Sequence, residues 1–284
     1  MKKGLLLLFL LSLAFTNGNA QTIHSIPIID SHCHIKTQPN EPFLTVDEYF
    51  ANNNNLDIKY LFGLTVAQKG NIEKTRMSND SLFSMSQRYP KFVPVYSVHP
   101  LDGDEALEEL DRISQMGGKI IKLHPISQSF SILNRQVIDL TRAAGEKNLI
   151  VLMDGYGFVT PNYLENLLQL ALINHDTKFI IAHMGGSDFH KLGALKAVTD
   201  LNPGMFGNVW YDLSVTVHIY AGSPYQEQFE WVLRQIGTDR VLFGSDDPAV
   251  SPQQALEAFY KLNLTDEEKH AILYKNAMLL LNLD

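Results

Sequence analysis

The sequence predicts an α/β fold, a (β/α)8 barrel of the TIM type. Three observations lead there. Eight short apolar runs, rich in β-branched residues, recur along the chain. Helix-period segments separate them. Polar or ionisable side chains stand where the runs end. Strand then helix, with connections of roughly twenty to thirty residues, gives parallel strands. Eight such units close naturally into a barrel. A doubly wound open sheet is the runner-up.

The first twenty residues stand apart. Lys2 and Lys3 precede "GLLLLFLLSLAF", and "NGNA" supplies small residues for a cut after Ala20. This is the pattern of a secretory signal peptide over 1–20, and the apolar stretch is short for a spanning helix. Residues 21–284 are then the barrel domain, exported, with the periplasm favoured over the extracellular space. No later segment is apolar over a bilayer-spanning length, so no stable membrane insertion is expected after cleavage.

The eight runs are "IPIIDSH", "YLFGLTVA", "FVPVYSV", "KIIKLH", "LIVLMD", "FIIAHM", "NVWYDLSV" and "VLFGSD". The first connection, Lys36 to Lys59, is long and holds the polar break "ANNNN", so an insertion is expected near the mouth of the barrel. The next six segments read as helices: "NIEKTRMSNDSLFSMSQRY", "GDEALEELDRISQM", "NRQVIDLTRAAGEK", "PNYLENLLQLALINH", "SDFHKLGALKAVTD" and "SPYQEQFEWVLRQIG". Two more follow the last strand. Ser251-Pro252 fits an N-cap and first helical position, and Thr265 with Glu268 fits a capping box.

Charge and cysteine content narrow the partners. The formal net charge is −8. Removing 1–20 takes away two lysines and no acid, leaving 21 basic against 31 acidic residues, or −10. That argues against nucleic acid or anionic lipid and leaves a small-molecule substrate as the expected partner. Oligomeric state is open, a homo-oligomer included. Cys33 is the only cysteine, so stability must come from a core rather than a disulfide.

In such a barrel, chemistry sits at the C-terminal ends of the strands. Those positions carry His32 and His34, then Lys122 and His124, then Asp154, His183, Asp212 and Asp246. In an extended strand, residues i and i+2 share a face, so "HCH" puts two imidazoles side by side and turns Cys33 the other way. Imidazole is the commonest metal ligand. The competing reading of His32 and His34 is a pair of core histidines. Asp246 could instead cap the segment after it, and Asp154-Gly155 is also an ordinary turn signal.

Several motifs together resemble one family. "IDSHCHI" looks like the His-x-His strand of the amidohydrolase superfamily. "GGKIIKLHP" is similar to the fourth strand of its amidohydrolase-related branch. "IIAHMGG" resembles the sixth-strand histidine motif, "VLFGSDDP" the eighth-strand aspartate motif, and "ILYKNAMLLLNL" the closing helix. The resemblance implies a metal-dependent barrel enzyme, usually hydrolytic, sometimes decarboxylating. It places His32, His34 and Asp246 on the metal and makes His183 a ligand or catalytic group.

One position departs. The fifth strand of the family usually ends in histidine, and this chain has Asp154. Either Asp154 coordinates in its place, or the centre lacks that ligand. One divalent metal is expected, zinc first, and a second carboxylate would suit manganese or iron.

The leading expectation is a hydrolase. Metal-bound water, with Asp246 as general base, attacks the carbonyl of a small amide, lactone or ester, and His183 stabilises the developing charge. Lys122 pairs with a substrate carboxylate, or carries a carbamate as in some superfamily members. His124 donates to substrate or orients a ligand. Two alternatives stand beside it: a non-hydrolytic decarboxylase on the same site, and a binding protein that has lost turnover.

Overall fold

The structure, a computed structural model, describes residues 26–283. The proposed signal peptide over 1–20 lies outside them. Among the described residues, no helix is long and apolar enough to cross a membrane.

Eight strands form one sheet: β1 (Ile28–His34), β2 (Ile58–Leu64), β3 (Phe92–Ser97), β4 (Ile120–Leu123), β5 (Ile150–Met153), β6 (Phe179–Ile181), β7 (Val209–Asp212) and β8 (Val241–Leu242). They lie in sequence order, and each pairs in parallel with the next. The segment after β8 returns to β1. Ser31 N donates to Phe243 O at 3.0 Å, Asp246 N to His32 O at 2.7 Å, and His34 N to Asp247 O at 2.9 Å. This is the expected barrel rather than an open doubly wound sheet.

Helices cover the outside: α1 (Val46–Asn52), α2 (Ile72–Arg88), α3 (Asp104–Gln115), α4 (Arg135–Glu146), α5 (Tyr163–Ile173), α6 (Leu195–Leu201), α7 (Thr216–Tyr220), α8 (Gln226–Ile236) and α9 (Pro252–Phe259). The chain ends in α10 (Asp266–His270), a π-helical turn (Ala271–Lys275) and α11 (Asn276–Leu281). Both predicted start signals are in place. Ser251 caps α9 with Pro252 behind it, and Thr265 with Glu268 forms a capping box on α10.

Strand alternation splits the core in two. Ile121, Leu123, Val151, Met153, Phe179 and Ile181 face the helices. Ile29, Phe62, Val95, Ile120, Ile150, Leu152, Ile180 and Leu242 fill the barrel interior. Ala277, Leu280 and Leu281 of α11 belong to that inner cluster and plug the N-terminal end of the barrel. Lys119, just before β4, ties the plug down through a 2.7 Å bond from Nζ to Leu281 O. The polar strand ends gather at the other end, where His34, His124 and Asp246 are partly exposed.

Two segments differ from a simple helical reading. Ser187–Ala194 belongs to a 3₁₀ stretch, and α-helix begins only at Leu195. The preceding residues His183, Met184, Gly185 and Gly186 all have positive φ. Gly186 must be bare, because a Cβ there would meet the Tyr156 ring at 2.5 Å. The final predicted helix is interrupted by the π turn at 271–275.

Candidate metal centre

The centre begins with β1. A register irregularity between Asp30 and Cys33 shifts the alternation, so that Ile29 lines the barrel and His32 and His34 also reach the rim. Cys33 turns outward and is packed in the outer core, as its parity predicts. Gly244 leaves room for His32, since a Cβ there would sit 2.9 Å from the His32 Cβ.

Asp246 completes the group. Its Oδ1 is 3.4 Å from His32 Nε2 and 3.4 Å from His34 Nε2. One ligand atom from each of His32, His34 and Asp246 lies within 4.8 Å of the other two, the one such group among the described residues. Asp246 adopts φ 68, a conformation unfavourable for a side chain with a Cβ, which its backbone N–H bond to His32 O helps to hold. Burial disfavours its charge, but His32, the His34 hydrogen bond and His183 outweigh that and hold its carboxyl below the ordinary range.

Asp212 sets the tautomer of His32. Its Nδ1 is 2.9 Å from Asp212 Oδ2, so Nδ1 carries the proton. Nε2 is left with its lone pair toward Asp246. Lys122 confirms the direction, because its Nζ donates to that same nitrogen at 3.3 Å. Burial and the Lys122 charge lower the pKa of His32, keeping the imidazole neutral as a ligand must be. His34 is stacked on Phe43 of the first connection at 5.1 Å between centroids. The insertion expected between Lys36 and Lys59 therefore does reach the mouth.

His183 lies next to this group, its ring 5.0 Å from that of His32. Its Nδ1 faces Ser214 O at 3.0 Å and its Nε2 faces Asp154 Oδ2 at 3.2 Å. Ser214 O and Asp154 Oδ2 are acceptors, and the Ser214 hydroxyl, also 3.0 Å from Nδ1, gives its own proton to Asp212, so both ring nitrogens carry protons. Burial alone would lower its pKa; the hydrogen bond and charge of Asp154, with Asp212 and Asp246, outweigh burial and raise it to about 9. Asp154 responds in the opposite sense. Burial would raise its carboxyl, but the His183 hydrogen bond, Lys122 and His124 hold it well below the usual range.

Asp154 is not in the three-residue group. Its Oδ1 accepts from Tyr156 N at 3.1 Å, which is the turn role its Asp-Gly sequence signals. Its Oδ2 serves His183, with His124 Nε2 at 3.7 Å. Gly155 is required there, since a Cβ would lie 2.0 Å from Ala182 O. Lys122 is 1% exposed and points up the barrel axis from β4. His124 is partly open, and burial with the Lys122 charge lowers its pKa to about 4 against the pull of Asp154.

Asp212, at the end of β7, uses its two carboxylate oxygens for different partners. Its Oδ2 orients His32, while its Oδ1 accepts from His183 N at 3.0 Å and from Ser214 N and Oγ. Sequence reasoning did not single out Phe43; only its place in the long first connection pointed to it. His99 is a buried loop residue that donates through Nε2 to Gln128 O at 2.7 Å.

Two imidazoles and a carboxylate fit a divalent ion that accepts mixed N and O donors. The Lys122 ammonium, which donates to His32 Nε2 at 3.3 Å, would have to give up that bond to such an ion.

No curated protein sequence matches the chain. Solved structures do. A provisionally assigned amidohydrolase from Staphylococcus aureus is 18% identical with a TM-score of 0.69, over 91% of this chain and 100% of its own. The 5-carboxyvanillate decarboxylase of Novosphingobium aromaticivorans, a structure with bound manganese, is 14% identical with a TM-score of 0.68, over 91% and 97%. The 2,6-dihydroxybenzoate decarboxylase from Rhizobium is 16% identical with a TM-score of 0.66, over 92% and 100%. At these identities the likeness establishes the fold. The profile of the family described as Amidohydrolase matches residues 29–283, and the chain therefore belongs to the amidohydrolase family.

Proposed function

We propose that the protein is a metal-dependent, non-oxidative decarboxylase of a small carboxylic acid. The observation that carries this reading is the cluster of His32, His34 and Asp246, with the Lys122 ammonium and the His183 imidazolium beside it. Of the two enzymatic expectations, it is the decarboxylase that the structural neighbours support better. The hydrolytic reading uses the same centre with Asp246 as base.

His32, His34 and Asp246 would hold the ion. When bound, the ion supplies positive charge that a substrate carboxylate or its neighbouring oxygen can lean on. Lys122 and His124 bind and orient the acid from β4. Asp154 keeps His183 charged and aimed. As the C–C bond to the carboxylate breaks, CO2 leaves and the electron pair stays on the carbon. His183 delivers its Nε2 proton to that carbon, and solvent at the barrel mouth restores it. Asp154 is thus a partner of His183 in this reading rather than the fifth-strand ligand. We include manganese ahead of zinc as the working ion, given the oxygen ligand and the manganese-bound relatives. We also propose export through the segment over 1–20 and work in the periplasm.

The test is a CO2-release assay on manganese-loaded protein. The first substrates are 2,6-dihydroxybenzoate and 5-carboxyvanillate, the acids of the similar decarboxylases, followed by other aromatic and unsaturated acids. Metal-dependent CO2 release is expected. Metal-dependent hydrolysis of lactones, amides or esters with no CO2 from any acid would overturn the reading in favour of the hydrolase.

A further inference from the structure

The carboxylate of Asp30 lies beneath the metal centre and takes no part in it. It is fully buried, and among the described residues no cation pairs with it. Four donors converge on it instead. Oδ1 accepts from His32 N at 3.3 Å and Ser245 N at 2.9 Å. Oδ2 accepts from Ser245 Oγ at 2.6 Å and Tyr49 Oη at 2.7 Å. A buried carboxylate satisfied only by neutral donors costs free energy that a purely apolar core would avoid.

The identity of the donors shows what the arrangement accomplishes. His32 N belongs to a ligand residue, at the register irregularity of β1. Ser245 immediately precedes the ligand Asp246, which is held at φ 68. Ser245 Oγ also accepts from Asp247 N at 3.2 Å, on the other side of Asp246. The two ligand-bearing segments come from opposite ends of the sequence, 215 positions apart at Asp30 and Ser245. Asp30 clasps both. Tyr49 brings in a third segment, since it sits on α1, in the same connection whose Phe43 stacks on His34.

We infer that Asp30, fixed by Tyr49 of α1 and by Ser245, is a positioning residue that sets the spacing of His32 and Asp246 for the metal, so that α1 is a structural arm of the centre. This rests on the metal-centre reading above. Asp30 touches neither ion nor substrate. It acts through the backbone of the ligands. Tyr49→Phe retains the ring in its buried slot and removes one of the four donors. Asp30→Asn puts an amide N–H among donors and breaks the convergence.

The experiment measures Mn2+ affinity by isothermal titration calorimetry and the electron paramagnetic resonance line shape of the bound ion. Metal-free melting temperatures are recorded in parallel. Wild type, Tyr49→Phe, Asp30→Asn and a core truncation in the helix layer, Val137→Ala, are compared. Removing an outer partner of a ligand weakens metal binding by about ten- to a hundred-fold. That loss is expected for Asp30→Asn, with a smaller loss in Tyr49→Phe and an altered line shape in both. Val137→Ala should lose melting temperature while its affinity and line shape stay at wild-type values. If Asp30→Asn does not fold, Tyr49→Phe decides. Folded variants that bind Mn2+ as wild type does, with only lower melting temperatures, would overturn the inference and leave the metal centre standing. Wild-type protein that binds no Mn2+ would overturn the metal-centre reading and this inference with it.

Discussion

Asp212 Oδ2 lies 2.9 Å from His32 Nδ1, and that contact decides which nitrogen of the imidazole is free to bind. An acceptor on Nδ1 commits the proton there and leaves Nε2 basic. Asp212→Asn replaces an obligate acceptor with a group that can also donate. Metal affinity should fall by about ten- to a hundred-fold with the barrel still folded. Titration calorimetry with Mn2+ checks this, and unchanged affinity would show that the tautomer is set elsewhere.

The double variant His32→Ala, His34→Ala removes two of the three side chains that could hold the ion. It should emerge without bound metal and with the far-ultraviolet circular dichroism of the wild type. Elemental analysis settles the point, and full occupancy in the double variant would disprove the assignment.

Lys122 is buried, and its ammonium donates to an imidazole nitrogen, not to a carboxylate. Its charge also favours the ionised form of the buried Asp154 carboxylate, so removing it leaves that group less compensated. Lys122→Met should lower the metal-free stability by about 1–3 kcal/mol, the cost of leaving a buried polar group short of a partner. It should also weaken binding of an acid substrate, seen as a higher KM. Thermal melts and steady-state kinetics read the two effects separately. A rise in melting temperature would mean that burying the ammonium costs more than its interaction with Asp154 offsets.

The pair His183 and Asp154 predicts how metal-free stability varies with pH. The pKa of His183 is raised to about 9 in the folded chain against an ordinary 6.5. The stability this contributes is complete below about pH 6.5 and is lost as pH climbs through 9. Melting temperature in the presence of a chelator should fall between those limits. Asp154→Asn removes the charge that raises His183 and should flatten the profile. A wild-type profile already flat over that range would refute the doubly protonated His183.

Gly244→Ala tests the tight packing behind His32. Its Cβ would meet the His32 Cβ at 2.9 Å and the His32 backbone N at 3.3 Å. Overpacking of this kind costs about 1–3 kcal/mol. Both melting temperature and metal affinity should drop, because the backbone that yields is the one that carries the ligand.

The fold was legible because each strand is a short apolar run and each rim position carries a polar group. His32, His34, Lys122, Asp154, His183 and Asp246 could all be placed at strand ends on that basis. What periodicity does not carry is local departure from it. The irregularity between Asp30 and Cys33 has no sequence signal of its own, although it aligns His32 with the inward face. The left-handed run from His183 to Gly186 was visible only as a pair of glycines. Tyr49 and Phe43 act on the centre from a connection that sequence marked merely as long. Asp154 shows the limit from the other side. As a carboxylate at a strand end it reads as a possible ligand, and only the positions of His183 and Tyr156 around it show which groups it serves.

The plug formed by Ala277, Leu280 and Leu281 of α11 has a consequence for traffic. With the base of the barrel stoppered, the ion, the substrate and whatever the proposed reaction releases would all pass the opposite rim. They must queue. An occupant at the threshold, beside Phe43 and Tyr156, would imprison the ion behind it, so chelators should strip the metal more slowly from protein with a bound acid than from protein without one.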